Sequence, residues 1–194
     1  ARRVLVIGAE KLTSFVDFTD RTSCIIFGDA AGAAVLTPLD ECGQGEILKT
    51  TLGADGKGYD FIHMKAGGSR KPPSLETLEA REHFIRMRGR DVFRFAVTYM
   101  GERVRKMMDG YSPDDIAVSG PHQVNQRIIE AACERSSIDI AKCVINIERI
   151  GNTSAASVAL ALDEAVRTGR IERGDLVLMV AFGASFGYTV MARV

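Results

Sequence analysis

The sequence carries no excess of charge of either sign: 25 Lys and Arg residues are matched by 25 Asp and Glu residues. That balance gives no support for a nucleic-acid or membrane-surface partner. Long apolar runs are also missing. The stretch "LVLMVAF" at 176–182 is among the longest, and it is far too short to span a bilayer. No basic-then-apolar leader opens the chain. Met does not open it either, and "ARRVLVIGAE" enters an apolar strand almost at once, so the chain reads as a fragment or a processed product. The four cysteines, Cys24, Cys42, Cys133 and Cys143, form no CxxC pair and have no nearby His. That argues against a zinc site or disulfides, and buried, inert thiols in a reducing cytoplasm are the expectation. What is present, 46% hydrophobic residues in 194, suffices for one sizeable core or two small ones.

The order of elements points to an α/β protein. "VLVIGAE" (4–10) reads as a buried strand of parallel type, and "CIIFGDAAGAAVLTP" (24–38) as a strand, a glycine-rich corner and a second strand. "GEILKTTLGADG" (45–56) is a further strand. Residues 56–74 read as a long Gly- and Pro-rich loop, and 75–86 as a helix of weak pattern. In 89–110, Val92, Phe93, Ala96, Val97, Met100, Val104 and Met107 recur at helical spacing, and Gly110 ends the helix. Strands at 114–120 and 142–147 then alternate with helices at 123–135 and 153–168, before two final strands at 175–183 and 186–194. Small residues surround most of the 153–168 helix, which places it between layers instead of on a wet surface.

Three strand-to-helix or strand-to-strand junctions bear polar groups. His122 follows the strand that Pro121 ends, at the carboxyl edge where ligands sit in open α/β sheets. With a helix expected from residue 123, the positive helix end disfavours the imidazolium, and a neutral ring keeps an N–H to donate. A capping or hydrogen-bonded structural His is an equally good reading. Asn152 stands at the next junction, either as an ordinary N-cap or as a second donor brought beside the first. "FGASFG" (182–187) is a plain hairpin turn or a source of backbone N–H groups for an oxyanion hole. "FGDAAGAAV" (27–35) lacks the glycine spacing of a dinucleotide or phosphate loop and reads as a closely packed hairpin. His63 and His83 have no spaced partner and are expected at the surface. Arg21, Arg90, Arg94 and Arg127 form either a basic rim or scattered solvated charges.

Taken together, "DRTSCIIFGDAAGAAVL", "GRDVFRFAV", "PHQVNQRIIEAA", "GNTSAASVALALDEAVRTGRI" and "GDLVLMVAFGASFG" resemble the carboxyl-terminal part of β-ketoacyl-acyl-carrier-protein synthase III. The resemblance implies a thiolase-like fold, a layered α/β arrangement with a mixed sheet and a buried central helix. Residues 1–44 would end the first thiolase-like half and 45–194 would form the second. It further implies a Cys–His–Asn site that condenses an acyl group from acyl-CoA with malonyl-acyl-carrier protein, losing carbon dioxide. No cofactor beyond acyl-CoA as substrate is implied, and the enzyme would be a cytoplasmic homodimer.

Residue by residue, His122 and Asn152 match the catalytic His and Asn, and Ala184 the backbone N–H of the oxyanion hole. Gln123, Val124, Asn125, Gln126 and Arg127 match the carrier-protein docking segment, with Asn125 also touching pantetheine. Arg21 falls where CoA adenine is stacked and Phe93 where the pantetheine tunnel is lined. The chain departs from the family at three places. The motif of the nucleophilic Cys is not among these residues, so the amino-terminal half carrying it is an expected partner and the isolated chain is expected to be inactive. Gly183-Ala184-Ser185 replaces the usual three glycines, and the Trp common soon after is missing; Thr22 and Val124 vary at the tunnel. The other hypotheses are a non-catalytic subunit that binds a carrier protein, or a related condensing enzyme of secondary metabolism.

Overall fold

A computed structural model describes residues 2–183 and 186–194. Its elements run in chain order as follows. β1 (Val4–Lys11) and β2 (Asp29–Leu36) precede the short α1 (Leu39–Cys42) and β3 (Glu46–Ala54). Next come β4 (Ile62–Met64), α2 (Leu75–Glu79), β5 (Ile85–Met87) and the long α3 (Gly89–Met107). β6 (Ile116–Pro121), α4 (Gln126–Ser136), α5 (Ile147–Ile150), α6 (Ser157–Arg167), β7 (Leu176–Phe182) and β8 (Phe186–Arg193) complete the chain.

The central sheet has the order β3-β8-β7-β6 and is mixed: β6 and β7 are parallel, while β8 runs antiparallel to both its neighbours. One face is covered by α3 and α4. Ala96, Met100, Val104 and Met107, at helical spacing on α3, pack with Ile128 and Ala132 of α4 against Leu178 and Met191 of the sheet. Each fully buried Val, Leu, Ile or Met side chain there contributes about 1.5–3 kcal/mol of apolar transfer. α6 covers the other face, where Ala161 and Ala165 meet Val118 and Val144. Its outer side is covered in turn by the β1–β2 ribbon. The approach there is so close that a Cβ on Gly8 would lie 2.3 Å from the Ala155 carbonyl oxygen. The Ala- and Gly-rich composition of both partners is what lets the layers come together, and α6 lies between two sheets as its composition indicates.

Several expectations need correction. β1 pairs antiparallel with β2 and is not buried, with Leu5 60% and Ile7 61% exposed. A continuous apolar run signals a strand but not its direction or its cover. Residues 24–26 form turns, and only Phe27 makes a bridge, so 24–38 holds one strand instead of two. The 75–86 helix stops at Glu79; Arg81 takes a left-handed conformation (φ 56°), and Ile85–Met87 pairs with β4 inside the expected loop. The 142–147 stretch touches β6 through a single bridge at Cys143 and then turns into α5. The four cysteines are free, yet Cys133 and Cys143 are neighbours, with sulfurs 3.1 Å apart. His63 and His83 are half-buried, the former held by the Asp60 carbonyl.

Candidate active site

β6 delivers His122 to the sheet's carboxyl edge. The backbone N–H of His122 donates to the Val180 carbonyl at 2.7 Å, so the ladder between β6 and β7 runs on through it. The next turn is held from inside by Gln123. Its amide nitrogen donates to the carbonyls of Pro121 and Val144, both at 2.9 Å, and its oxygen accepts from the Asn146 N–H at 3.0 Å. α4 therefore starts only at Gln126, with Asn125 as N-cap accepting from the Arg127 N–H. His122 sits upstream of the helix end, and the physical cause of its neutrality changes accordingly. Burial pulls its pKa down from 6.5 to about 4.

Asn152 reaches the same edge from the segment after α5. Its backbone is clamped on both sides: its N–H donates to the Ile26 carbonyl at 2.8 Å and its carbonyl accepts from the Gly28 N–H at 2.9 Å. The side-chain Oδ1 accepts from the Ser154 N–H at 2.9 Å, which fixes the amide plane. The Asn152 Nδ2 donors and the His122 Nε2 have no hydrogen-bond partner among the described residues.

Both side chains line one cavity of about 320 Å³. Its walls are otherwise mostly apolar, with Leu12, Phe27, Ile62, Ile85 and Val158 among them. Phe182 stands edge-on to the imidazole, ring centres 5.6 Å apart. Polar groups in a mostly apolar, half-open cavity interact more strongly with a charge placed there than they would in bulk water. Gly183 lines the cavity too, while Ala184, expected to give an oxyanion-hole N–H, lies outside the described residues.

A second depression of about 460 Å³ opens beside the first, lined by Ile25, Ile26, Asn125, Gln126, Arg127, Glu130 and Glu148. Val124 lines both. Asn125, Gln126 and Arg127 are exposed there. Gln123 is not: it is fully buried and its amide is spent inside the chain, so it cannot touch a docked partner. Phe93 lines neither cavity. It belongs to a separate depression with Arg90, Arg94 and Val97, on the outward side of α3. Arg21 is exposed on the turn before Phe27 and lines neither cavity. Arg127 and the pair Arg90 and Arg94 line different depressions.

Sequence reasoning missed Ser157, whose Oγ lies 2.5 Å from His122 Nδ1. A Ser in an otherwise Ala-rich first turn, five residues after Asn152, was the available signal. It also missed the structural task of Gln123, for which a buried amide between two strand ends leaves no periodic trace. Among the described residues, no Cys lines the His122 cavity.

The model for the 3-oxoacyl-[acyl-carrier-protein] synthase III family matches residues 1–56, and the model for that family's C-terminal region matches residues 107–193. A β-ketoacyl-[acyl-carrier-protein] synthase III of Caldanaerobacter subterraneus is 51% identical over 185 residues, spanning 94% of this chain and 55% of that protein. The synthase III of Clostridioides difficile is 48% identical over 184 residues, again 94% of this chain and 55% of the other. The crystal structure of 3-oxoacyl-[acyl-carrier-protein] synthase III from Aquifex aeolicus superposes with a TM-score of 0.87 at 39% identity, covering all of this chain and 58% of its own. The chain thus spans a little over half the length of the relatives it matches. With both segments matched in order and the layered, thiolase-like arrangement shared throughout, the chain belongs to the 3-oxoacyl-[acyl-carrier-protein] synthase III family.

Proposed function

We propose that this chain supplies the His and Asn of a β-ketoacyl-acyl-carrier-protein synthase III, an acyltransferase that opens fatty acid biosynthesis. The substrates are an acyl-CoA, acetyl-CoA in the simplest case, and malonyl-acyl-carrier protein. The observation that carries the reading is the shared cavity, in which His122 and Asn152 present polar atoms that have no partner among the described residues, against a mostly apolar wall. A cysteine on the amino-terminal half takes the acyl group, expelling CoA. Malonyl thioester then enters, and its C–C bond to the carboxylate breaks, releasing carbon dioxide. The electron pair moves onto the thioester oxygen as an enolate. Hydrogen bonds from the imidazole and the Asn152 amide stabilise that charge more than they stabilise the ground-state carbonyl, which lowers the barrier. The enolate carbon attacks the acyl-cysteine, and the thiolate leaves.

The geometry supports roles for some of the other residues. Val124 separates the inner cavity from the outer depression and so marks the passage for a pantetheine arm. Arg127 and Asn125 at the outer depression receive the carrier protein, with Glu130 and Glu148 beside them limiting how acidic that partner's contact is. Residues 1–44 complete the first thiolase-like half, 45–194 form the second, and the assembled enzyme is a cytoplasmic homodimer without a bound cofactor.

The test uses the protein carrying the Cys-bearing half. His122→Ala and Asn152→Ala are each expected to abolish release of labelled carbon dioxide from malonyl-acyl-carrier protein, while labelled acyl transfer to the cysteine survives. Equal loss of both half-reactions would remove the role given to the two side chains. Labelled acyl-CoA offered to the present chain alone should leave it unlabelled.

A further inference from the structure

Residues 57–88 carry one wall of the cavity, through Ile62 of β4 and Ile85 of β5. β4 and β5 pair only with each other, as a two-stranded ribbon apart from the central sheet. Among the described residues, every hydrogen bond and ion pair from this segment to a point beyond its own flanks goes to Asp17, Thr19 or Asp20. The Asp17 carboxylate is the centre of that attachment. It is 2% exposed and takes the Arg81 guanidinium on both oxygens, Nε donating to Oδ2 at 3.0 Å and a terminal nitrogen to Oδ1. Arg86 approaches Asp17 Oδ2 at 3.6 Å and Asp20 Oδ2 at 4.0 Å. Thr19 adds its N–H and hydroxyl to Oδ1, at 3.0 and 2.6 Å. A buried carboxylate is costly unless paired, and a guanidinium gripping both oxygens is among the strongest partners it can have. Arg81 holds this position at φ 56°, a left-handed conformation that a residue with a side chain rarely adopts.

Strand geometry turns that attachment toward the site. Successive side chains of a strand point to opposite faces. Ile85 therefore faces the cavity while Arg86, its neighbour, faces away toward the two aspartates. Asp17 in turn sits on the excursion between β1 and β2, which contributes Leu12 and Phe27 to the cavity. Thr13 closes that excursion at its base, its N–H donating to Asp29 Oδ1 at 2.9 Å. We propose that Asp17 is a positioning residue: through Arg81 and Arg86 it clasps the β4–β5 ribbon against the Leu12–Phe27 wall, and so limits the size of acyl group that the cavity admits. The proposal rests on the functional reading above, which brings an acyl group and the malonyl thioester together in this cavity. The width of the cavity is fixed only while the clasp is closed. Released, the ribbon yields to a longer chain and grips a short one less firmly. His122 and Asn152 are carried by β6 and by the segment after α5, so the ribbon takes no part in placing them.

Arg81→Gly is the first variant to make. Glycine takes a left-handed turn freely, so the substitution removes the guanidinium without straining the backbone. In the protein carrying the Cys-bearing half, hydrogen–deuterium exchange across residues 57–88 should quicken while β6 and β7 stay protected. The ratio of kcat/KM for octanoyl-CoA over that for acetyl-CoA should rise roughly 10-fold, the scale that a single methylene carries in an apolar pocket. KM for acetyl-CoA should rise too, with kcat for malonyl decarboxylation little changed, whereas general loss of structure would lower every rate together. Asp17→Asn, which keeps the shape of the side chain without its charge, should shift the same quantities in the same direction. Arg81→Lys keeps the charge but not the fork and should fall between wild type and Arg81→Gly; a melting curve checks that each variant is folded. Unchanged exchange in Arg81→Gly, or quickened exchange with an unchanged preference between the two acyl-CoAs, overturns the proposal. If the wild-type protein condenses neither acyl-CoA with malonyl-acyl-carrier protein, the functional reading fails instead, and the exchange result alone then decides whether the clasp exists.

Discussion

A Cβ placed on Gly28 would lie 2.1 Å from the carbonyl oxygen of Ile150. No real Cβ comes that close to backbone, so the two segments meet only because residue 28 has no side chain. The contact brackets Asn152, whose backbone bonds to Ile26 and Gly28 on either side. Gly28→Ala is therefore expected to push the Asn152 segment away from Phe27, with a loss of stability of about 1–3 kcal/mol, as for other overpacked sites. Decarboxylation should fall with it, because the amide that faces the cavity is displaced. Chemical denaturation together with labelled carbon dioxide release measures both, and a fully stable, fully active variant would refute the clamp.

Burial of His122 makes stability depend on pH in a definite direction. Its folded pKa, about 4, lies below the ordinary 6.5, so between those values the unfolded chain binds more protons than the folded one. Stability should thus be unaffected by this group above pH 6.5, fall as pH drops through 6.5, and level off below about 4. At pH 5 the loss amounts to about 2 kcal/mol. Carboxylates held low by hydrogen bonds, such as Asp17 with Arg81 and Thr19, lose their contribution as pH falls through the ordinary carboxylate value and on downward. Urea unfolding at pH 7.5 and 5.0 reads the difference, and His122→Gln should flatten that slope. An unchanged slope in the variant would mean that another group titrates there.

Much of this was legible in the chain itself, and the limits were physical. α3 and α6 were readable because apolar or small residues recur at helical spacing over many turns. The junction at His122 was readable because a strand pattern ends at a polar residue, whereas the strand expected before Asn152 is a single bridge followed by α5. Pairing direction was not, since the apolar run at β1 looks the same beside a parallel or an antiparallel neighbour. Nor was the late start of α4: Gln123 reads as a surface polar residue in sequence, and only the fold shows three bonds consuming its amide. Phe93 falls at helical spacing with the core residues of α3 yet looks outward, because the buried stripe is narrower than the apolar pattern. The contact of Cys133 with Cys143 joins the last turn of α4 to an isolated bridge residue, which no local spacing encodes.

The thiols should separate into three classes. Cys42 is exposed, Cys24 is half-buried, and Cys133 and Cys143 are buried against each other. The hydrogen bond with Cys143, reinforced by burial, pushes the Cys133 thiol well up from its ordinary pKa. Because access decides for the buried pair, a water-soluble disulfide reagent should modify Cys42 quickly, Cys24 more slowly and the other two only after unfolding. Counting released chromophore in native and urea-denatured protein checks this. Four equally fast thiols would contradict the packing of α4 against the Cys143 segment.

Gln123 and Arg127 are four residues apart but should fail in different ways when changed. Gln123→Ala removes an amide whose three partners, the Pro121 and Val144 carbonyls and the Asn146 N–H, are then left without it in a buried place. An orphaned buried polar group costs about 1–3 kcal/mol, so unfolding should shift strongly. The damage to catalysis should appear in kcat, through the ring of His122, with the KM for carrier protein nearly unchanged. Arg127 is exposed at the outer depression, and Arg127→Glu should leave stability within about 0.5 kcal/mol. Reversing its charge beside Glu130 and Glu148 should instead raise the KM for an acidic carrier roughly 10-fold at low salt, with the effect shrinking as salt is added. Steady-state kinetics at two salt concentrations, paired with denaturation of each variant, separates the two cases. A Gln123→Ala variant that is stable but weak for the carrier would return that residue to the docking surface.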